Sequence, residues 1–363
     1  MKVLFVSGMF STKYGGFEKF TIELLEQGVD LSIIYNAKPD SLEYLEDLRK
    51  YNVEINAVYG NILQRTWQTY KIIRREKPDI VHFHFGFIVY FLFLIIKLFH
   101  PKAKQILTLH CEYNYKSIFW NTLTQLCYRS LDCVTCVSNG VRQGLIKKIG
   151  DSKHYIVHYL GVSKRGIKNY QLRNELQIGL DELVITSIGF DIEVKGFDLL
   201  AKSVSELRTM HGIPKFKVII IGLSKQENCK YQEILHKYGV EDCILSVGIR
   251  NDIDDFLFFT DIYTQPSRTE AISLSIMEAL LYGIPIIGAN VGGISEVCVS
   301  DFNGMLFEKG NSQELTMALR KLLLDEKLRI RYGKQSLELA KKYDKKSNVM
   351  TLIKIYEQLL SKK

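Results

Sequence analysis

Residues 265–285 read QPSRTEAISLSIMEALLYGIP, from Gln265 to Pro285. The stretch begins at the end of a strand-like segment at 261–265 and ends within another at 284–288. Between these two strand-like runs lie a polar loop, an apolar helical segment and a Gly-x-Pro turn. A helix that joins two buried strands in this way is typical of a parallel sheet, because parallel strands need a long crossover connection.

The same alternation extends in both directions from this stretch. In the second half of the chain, strand-like runs lie at 183–188, 217–221, 243–247, 261–265, 284–288 and 305–307, with helical stretches such as 197–210 and 226–238 between them. In the first half they lie at 3–7, 31–35, 53–57, 80–83, 105–109, 133–137 and 155–158, with helical stretches such as 17–27, 41–51 and 65–77. The pattern predicts an α/β fold with two doubly wound, Rossmann-like domains whose parallel sheets are covered by helices.

A polar segment at 164–170 lacks hydrophobic periodicity and is interpreted as the link between the two domains. We therefore expect domains at 1–165 and 166–344, and a final helix within 345–363 that packs back on the first domain. One face of that helix is apolar, with Val349, Leu352, Ile353, Tyr356 and Leu359. Ligands of doubly wound sheets bind beyond the carboxyl ends of the strands, which predicts a shared cleft between the domains.

The composition is that of a folded protein, since 47% of the 363 residues are hydrophobic and 24% are charged. These proportions exclude a disordered chain, a collagen and a small disulfide-stabilised protein. The formal net charge of +8 arises entirely before residue 166, where 22 basic residues face 14 acidic ones. One basic half beside a neutral half indicates different partners for the two domains. The basic half is explained equally by an anionic ligand, by a membrane surface or by a contribution to solubility alone. Nucleic acid is not an expected partner.

The first residues read as a buried strand and show no cleavage site of a signal peptide, so a cytoplasmic location is expected. Seven cysteines at irregular spacing fit reduced thiols in that compartment. Cys133 and Cys136 lie in a strand-like run and are interpreted as buried structural residues. The apolar run at 85–96 is too short to span a bilayer. It is either a core helix or a helix partly exposed to an anionic membrane, with Lys97, His100, Lys102 and Lys104 beside lipid headgroups at the inner face of the plasma membrane.

Candidate site residues in the first half follow predicted strands. Gly15 and Gly16 stand at a helix start, where backbone N–H groups can bind phosphate or sugar oxygens. The Gly-x-Gly-x-x-Gly motif of dinucleotide folds is absent, which argues against NAD. His82 and His84 alternate on one strand, and a metal site, structural packing and ligand contact stay open for them. His110 follows the next strand directly, and its imidazole could bond a substrate hydroxyl or be structural.

Glu270 and Glu278 are the most specific pair of candidate residues, because one is expected in a loop and the other on a helix. A loop carboxylate can hold sugar hydroxyls, and a carboxylate on the helix can accept both hydroxyls of a ribose. The free N–H groups between them, at Ile272, Ser273 and Leu274, can bind a diphosphate. If the two glutamates were only ordinary acidic residues beside a helix, the flanking Pro-Ser and Gly-x-Pro motifs would not be expected.

Over nearly its whole length the chain resembles the family-four retaining glycosyltransferases of the GT-B fold, of the kind found in bacterial polysaccharide synthesis. The resemblance rests on several motifs in a fixed order. They are Gly15-Gly16-x-Glu18, Asp79-Ile80-Val81-His82-Phe83-His84, Thr108-Leu109-His110, Val194-Lys195-Gly196-Phe197-Asp198-Leu199-Leu200, the Glu270 and Glu278 motif, Val291-Gly292-Gly293-Ile294-Ser295-Glu296-Val297, and Asn303-Gly304-Met305-Leu306-Phe307.

The resemblance implies roles for these residues. Gly16 would lie beside the diphosphate and the acceptor, and His110 would contact the transferred sugar. Lys195 would neutralise the diphosphate leaving group, Glu270 would hold the sugar and Glu278 would bind the ribose. The implied enzyme is a metal-independent hexosyltransferase without a cofactor. It would move a sugar from a nucleotide diphosphate sugar, UDP-sugar favoured and GDP-sugar second, to a hydroxyl of a glycan or lipid-linked acceptor.

The chain departs from this family at two points. Most relatives have Gly-Arg-Leu where this sequence has Gly189-Phe190-Asp191, so one diphosphate-binding cation is missing and Arg268 is a candidate to assist Lys195. The usual Gly-Phe-Gly after the first glutamate is replaced by Ala271-Ile272-Ser273, which alters the sugar pocket. Two alternatives remain: a catalytically silent nucleotide-sugar-binding subunit, and a sugar-nucleotide epimerase of similar shape.

Overall fold

The computed structural model describes residues 1–8, 14–85, 89–111 and 118–361, with the side chains of 89–91, 118–121 and 123 left aside. The chain forms two compact units. The first comprises Met1–Gly161 and Lys345–Lys363, and the second comprises Val162–Asp344. Lys164 and Arg165 thus belong to the second unit.

The first unit is built on a seven-stranded sheet in the order β3-β2-β1-β4-β5-β6-β7. All neighbouring strands pair in parallel. The strands are β1 (Lys2–Ser7), β2 (Asp30–Tyr35), β3 (Glu54–Ala57), β4 (Ile80–His84), β5 (Lys104–Leu109), β6 (Cys133–Cys136) and β7 (Tyr155–Val157). The helices are α1 (Gly16–Glu26), α2 (Leu42–Lys50), α3 (Ile62–Glu76), α4 (Val89–Phe99), α5 (Ile118–Ser130) and α6 (Asn139–Ile149).

The second unit has a six-stranded parallel sheet in the order β10-β9-β8-β11-β12-β13. Its strands are β8 (Leu183–Ile188), β9 (Phe216–Ile221), β10 (Ile244–Ser246), β11 (Ile262–Gln265), β12 (Ile286–Ala289) and β13 (Gly304–Phe307). Its helices are α7 (Leu172–Glu175), α8 (Ile192–Lys195), α9 (Phe197–Arg208), α10 (Lys225–Tyr238), α11 (Ile253–Phe258), α12 (Leu274–Leu281), α13 (Ile294–Val297), α14 (Ser312–Leu324) and α15 (Glu326–Ala340), followed by a 3-10 turn at Lys341–Tyr343.

The sheet of the second unit is buried on both faces. In β9, Val218 and Ile220 join one hydrophobic cluster, while Ile219 and Ile221 join another on the opposite face. Successive side chains of a strand point to opposite faces, so the two clusters lie on the two sides of the sheet. Continuous apolar strands of this kind belong to sheets covered by helices on both sides. The predicted fold class of two doubly wound parallel sheets is confirmed.

The C-terminal helix, Lys345–Ser361, packs in the first unit. Its Tyr356 is fully buried, and the phenolic oxygen lies 2.7 Å from Nδ1 of His82. Lys345 forms an ion pair with Glu23 of α1 at 3.3 Å, and the Asn348 carbonyl lies 2.9 Å from Nε2 of His158. The second unit is therefore inserted in the chain of the first. Its own ends lie side by side, because Val162 N donates to the Tyr343 carbonyl at 2.8 Å.

The helix expected at 85–96 corresponds to α4, which spans Val89–Phe99. Residues 86–88 of the expected run lie outside the described residues. Leu92, Phe93 and Ile96 are buried, whereas Leu98 and Phe99 are exposed. Helix α4 therefore contributes to the core and to the surface. Within the described ranges, we find no helix that combines the length and the apolar composition needed to cross a bilayer. Cys133 and Cys136 are both buried in β6.

Candidate active site

In the second unit, Lys195 and Glu270 meet beyond the carboxyl ends of β8 and β11. These two strands pair in the centre of the sheet, where the strand order reverses, and doubly wound folds bind ligands at this point. The Lys195 ammonium donates to Oε2 of Glu270 at 2.5 Å, and the two side chains are only 12% and 13% exposed. The structure therefore brings together two predicted catalytic residues that are 75 positions apart.

Lys195 is held in place by the loops around it. Gly189 directly follows β8, and a Cβ at this position would lie 2.4 Å from Cγ of Lys195, so a larger residue would displace the lysine side chain. Asp191 caps the short helix α8, since its Oδ1 accepts from the N–H of Val194 at 2.7 Å. Gly196 then adopts a φ of +69°, and a Cβ there would lie 2.0 Å from the carbonyl oxygen of Pro266. The loops after β8 and β11 thus pack backbone against backbone.

Glu270 is supported from the loop after β12. Gly292 has a φ of +49°, and a Cβ on it would lie 1.6 Å from the Glu270 carbonyl oxygen. The N–H of Gly293 donates to that same oxygen at 3.3 Å. The two adjacent glycines therefore allow the close approach that fixes the backbone of Glu270.

Helix α12 begins immediately after this loop. Ser273 is its N-cap, and its Oγ accepts from the N–H of Ile276 at 3.2 Å. Ser273 and Ile272 are buried, and Leu274 is the first helical residue. The first N–H groups of a helix have no acceptor within the helix and carry partial positive charge. The three predicted diphosphate-binding residues therefore lie at a helix N-terminus, where an anion is favoured.

A buried polar network that was not predicted from the sequence underlies the loop. Oε1 of Gln265 accepts from the hydroxyls of Tyr263 at 2.8 Å and Ser275 at 3.1 Å. Its Nε2 donates to Oγ of Ser267 at 2.8 Å. Tyr263, Gln265 and Ser267 are fully buried. The signal in the sequence is the spacing of Tyr263 and Gln265, because residues two positions apart in a strand lie on the same face.

Arg268 extends toward helix α9. Its guanidinium forms two hydrogen bonds with the Asp198 carboxylate, at 2.7 Å and 2.6 Å, and a third with the Glu193 carbonyl at 2.6 Å. Bidentate pairs of this kind are the strongest that arginine forms. The structure thus places the guanidinium of Arg268 at the start of α9.

The second glutamate, Glu278, lies one turn into α12 and is partly buried. Burial raises the pKa of its carboxyl group to about 7; the nearby Arg165 guanidinium opposes this shift and Asp254 adds to it. Asp254 also accepts from the N–H of Arg165 at 3.2 Å and from the hydroxyl of Tyr282. Glu278 thus changes charge near neutral pH, in an environment set partly by Arg165.

In the first unit, His110 directly follows β5. Its Nε2 lies 3.1 Å from Nδ1 of His84, and the Phe85 ring stacks on it with the centroids 3.7 Å apart. Burial lowers the pKa of His110 to about 3, so the imidazole is neutral at physiological pH. A neutral imidazole carries one donor and one acceptor, and His84 occupies one of them.

His82 and His84 have different environments, although they share a strand. Both ring nitrogens of His82 are engaged, with the Tyr356 hydroxyl and with Oγ1 of Thr108, each at 2.7 Å. Within the described residues, Nε2 of His84 has no hydrogen-bond partner. In the same ranges, no three His, Cys, Asp or Glu side chains are arranged to hold a metal ion. Structural packing is therefore the role that fits His82.

Gly16 is the first residue of α1, and the N–H of its N-cap Gly15 donates to Oε2 of Glu18 at 3.0 Å. The next residue, Phe17, contacts the ring of His110 edge-on, with the centroids 5.8 Å apart. The structure thus brings the glycine pair and His110 to the same edge of the first sheet. Gly16 and His110 belong to the first unit, and the other predicted site residues belong to the second.

Two family models match the chain, one in each half. The model described as Glycosyltransferase Family 4 matches residues 15–164, and the model described as Glycosyl transferases group 1 matches residues 169–339. An uncharacterized glycosyltransferase of Haemophilus influenzae is 24% identical over 91% of this chain and 92% of its own length. The lipopolysaccharide core biosynthesis glycosyltransferase LpsE of Rhizobium meliloti is 23% identical over 90% of this chain and 91% of its own length.

Solved structures show the same fold. Anabaena Alr3699/HepE in complex with UDP superposes with a TM-score of 0.82 at 18% identity, over 99% of this chain and all of that one. Its complex with UDP-glucose gives a TM-score of 0.79. The predicted family and the predicted enzyme class are confirmed. The chain belongs to the family-four glycosyltransferases, has the GT-B fold and is related to enzymes of lipopolysaccharide and polysaccharide biosynthesis.

Proposed function

We propose that the chain transfers a hexose-type sugar from a nucleotide diphosphate sugar, with UDP-sugar favoured, to a hydroxyl of a glycan or lipid-linked acceptor. The observation that carries the proposal is the ion pair of Lys195 and Glu270 at the reversal point of the second sheet, beside the N-terminus of α12. A cation, a carboxylate and free helix N–H groups are the groups that a sugar joined to a diphosphate requires.

UDP-sugar is favoured because a structural neighbour was solved with UDP and with UDP-glucose. In this proposal the N–H groups at Ile272, Ser273 and Leu274 bind the diphosphate, and the Glu278 carboxylate accepts the ribose hydroxyls. Arg268 is the candidate to assist Lys195, although its guanidinium is paired with the Asp198 carboxylate. GDP-sugar remains the second choice of donor.

The bond from the sugar to the β-phosphate oxygen breaks as the acceptor oxygen bonds to the same carbon, with retention of configuration, as the family resemblance implies. The acceptor proton passes to an oxygen of the departing phosphate, so the reaction needs no separate base. An ammonium has three N–H donors, and Lys195 can therefore contact the leaving diphosphate while it stays bonded to Glu270. Glu270 in turn holds the sugar hydroxyls.

The first unit supplies the acceptor side in this proposal. His110, neutral and bonded to His84, offers its remaining ring nitrogen to a hydroxyl of the transferred sugar. The N–H groups at Gly16 add donors at the start of α1. The positive charge of this unit favours an acidic acceptor or an anionic membrane. We propose that the enzyme works in the cytoplasm, at the inner face of the plasma membrane, in bacterial surface polysaccharide synthesis.

The test is a panel of UDP-, GDP- and ADP-sugars, each measured for protection against thermal unfolding. We expect UDP-sugars to raise Tm most, and Glu278→Gln to reduce that gain. The sugar that binds is then tested for hydrolysis and for transfer. We expect Lys195→Met to abolish turnover and to weaken UDP binding, because it removes a cation beside the diphosphate.

Two results would contradict the proposal. If no nucleotide sugar protects the chain, the donor site is wrong. If a sugar binds but neither hydrolysis nor transfer is seen with any acceptor, the catalytic assignment of Lys195 and Glu270 is wrong.

A further inference from the structure

Helices α3 and α4 of the first unit present a continuous apolar surface to solvent. Leu63 and Trp67 of α3 are 72% and 57% exposed, and Leu98 and Phe99 of α4 are 75% and 65% exposed. Tyr70 connects the two helices, because its ring stacks on Trp67 at 5.6 Å and meets Phe99 edge-on at 6.0 Å between centroids. These five residues form what we call the α3–α4 face.

Cations lie on the same side of α3 as the exposed apolar residues. Leu63, Trp67, Lys71 and Arg74 are spaced by four, four and three positions, which places them in one stripe along the helix. The Lys71 ammonium lies 5.5 Å from the centroid of the Trp67 ring. Lys71 and Arg74 are both exposed. The stripe therefore has an apolar half and a basic half.

The segment that carries this face holds most of the net charge of the chain. Residues 55–131 contain ten Lys or Arg and three Asp or Glu, a balance of +7 in a chain of +8. No acidic residue occurs at 55–75 or at 80–111. Glu76, at the end of α3, is paired with Lys2 at 2.7 Å and with Arg75 at 2.9 Å. The segments that form the α3–α4 face therefore contain few acidic residues, and the acidic residue at the end of α3, Glu76, is already paired.

From the sequence, the residues that could lie beside lipid headgroups are Lys97, His100, Lys102 and Lys104. Lys97 and Lys102 are exposed; Lys97 donates to the carbonyl of Ser130 at 2.8 Å, and Lys104 is paired with Asp132 at 3.4 Å. Lys71 and Arg74 of α3 join this basic side of the unit because α3 packs next to α4.

We propose that the α3–α4 face docks on an anionic lipid bilayer, with its apolar side chains at the boundary between headgroups and acyl chains and with Lys71 and Arg74 at the headgroups. Exposed aromatic and aliphatic residues beside basic ones match the two layers of a membrane interface. A second copy of the chain fits poorly, because two identical faces would bring like charges together. A hydrophilic acidic partner would leave the apolar residues without a matching surface.

The test measures binding to vesicles by sedimentation at low salt, with phosphatidylglycerol mixed into phosphatidylcholine and with phosphatidylcholine alone. We expect the unaltered chain to bind only the anionic vesicles. The double variant Lys71→Glu, Arg74→Glu should bind them at least about tenfold more weakly. The matched control, Lys327→Glu with Lys334→Glu on α15 of the second unit, makes the same change in net charge and should bind like the unaltered chain.

A second measurement separates insertion from simple charge attraction. In a Trp120→Phe variant, Trp67 is the single remaining tryptophan. Its fluorescence should shift to the blue on anionic vesicles, and Trp67→Ser should weaken binding. UDP binding should be unchanged in the Lys71 and Arg74 variant, which keeps this test independent of the proposed donor site.

The proposal is overturned by any of three results. The first is no binding to anionic vesicles; the second is equal loss of binding in the two charge-reversal variants. The third is binding without any change in Trp67 fluorescence, which would indicate an electrostatic contact through another surface.

Discussion

Substituting Gly292 by alanine should disrupt the loop that carries Glu270. An added Cβ would lie 1.6 Å from the Glu270 carbonyl oxygen, whereas real Cβ atoms stay beyond 3.0 Å of such neighbours. The loop must therefore move, and the hydrogen bond from Gly293 to that oxygen is lost. The positive φ costs alanine about 1–2 kcal/mol, and the lost hydrogen bond adds about 0.5–1.5 kcal/mol. We expect a total loss of roughly 2–3 kcal/mol in the free energy of unfolding.

Gly212→Ala is the matched control. Gly212 has a φ of +75° and nothing within 4 Å of an added Cβ, so it carries the backbone cost alone. Urea unfolding gives both free energies, and we expect the control to lose about 1–2 kcal/mol. Binding of UDP-sugar should fall in Gly292→Ala and stay unchanged in Gly212→Ala. Equal stability and equal binding in the two variants would refute the close packing of Gly292 on Glu270.

Three further predictions concern other parts of the site. Phe190→Arg should strengthen UDP binding by roughly tenfold at low salt, measured by calorimetry against Phe190→Leu, because it restores a cation beside the diphosphate; equal affinities would contradict this. Burial raises the pKa of Glu278 to about 7 from 4.5, so the folded chain holds a proton there that the unfolded chain has lost. The free energy of unfolding should therefore fall relative to that of Glu278→Gln as pH rises from about 4.5 to 7, and a constant difference would argue against the shift. Tyr356→Phe removes a buried hydroxyl 2.7 Å from His82 and should cost about 1–3 kcal/mol in urea unfolding without changing UDP affinity; loss of UDP binding would be unexpected.

The strand and helix alternation could be predicted from the sequence because it depends on local composition. The strand expected at 261–265 is found at Ile262–Gln265, and the one at 243–247 is found at Ile244–Ser246. The short helix α8 has only four residues, too few for hydrophobic periodicity to appear. The strand expected at 284–288 starts only at Ile286. Pro285 has no N–H group to donate to the neighbouring strand, so the strand begins after it.

The partners within the candidate site could not be predicted, because they depend on which chain segments meet. Arg268 bonds to Asp198, 70 positions away, although Glu270 is nearer in sequence. His84 meets His110 because β4 and β5 pair with His84 opposite Thr108, and a shift of register by one residue would separate the two rings. Residue type indicated the candidate side chains, while register and backbone packing determine which of them meet.

Because the C-terminal helix completes the first unit, the order in which the two units can fold differs from the order in which they are synthesised. The phenolic oxygen that bonds to His82 belongs to Tyr356, which emerges only after the entire second unit. The second unit can thus close first, since its two ends are joined at Val162 and Tyr343. The second unit is one continuous segment, 162–344, and can be produced alone, whereas the first unit needs a short linker from Gly161 to Lys345 in place of that segment.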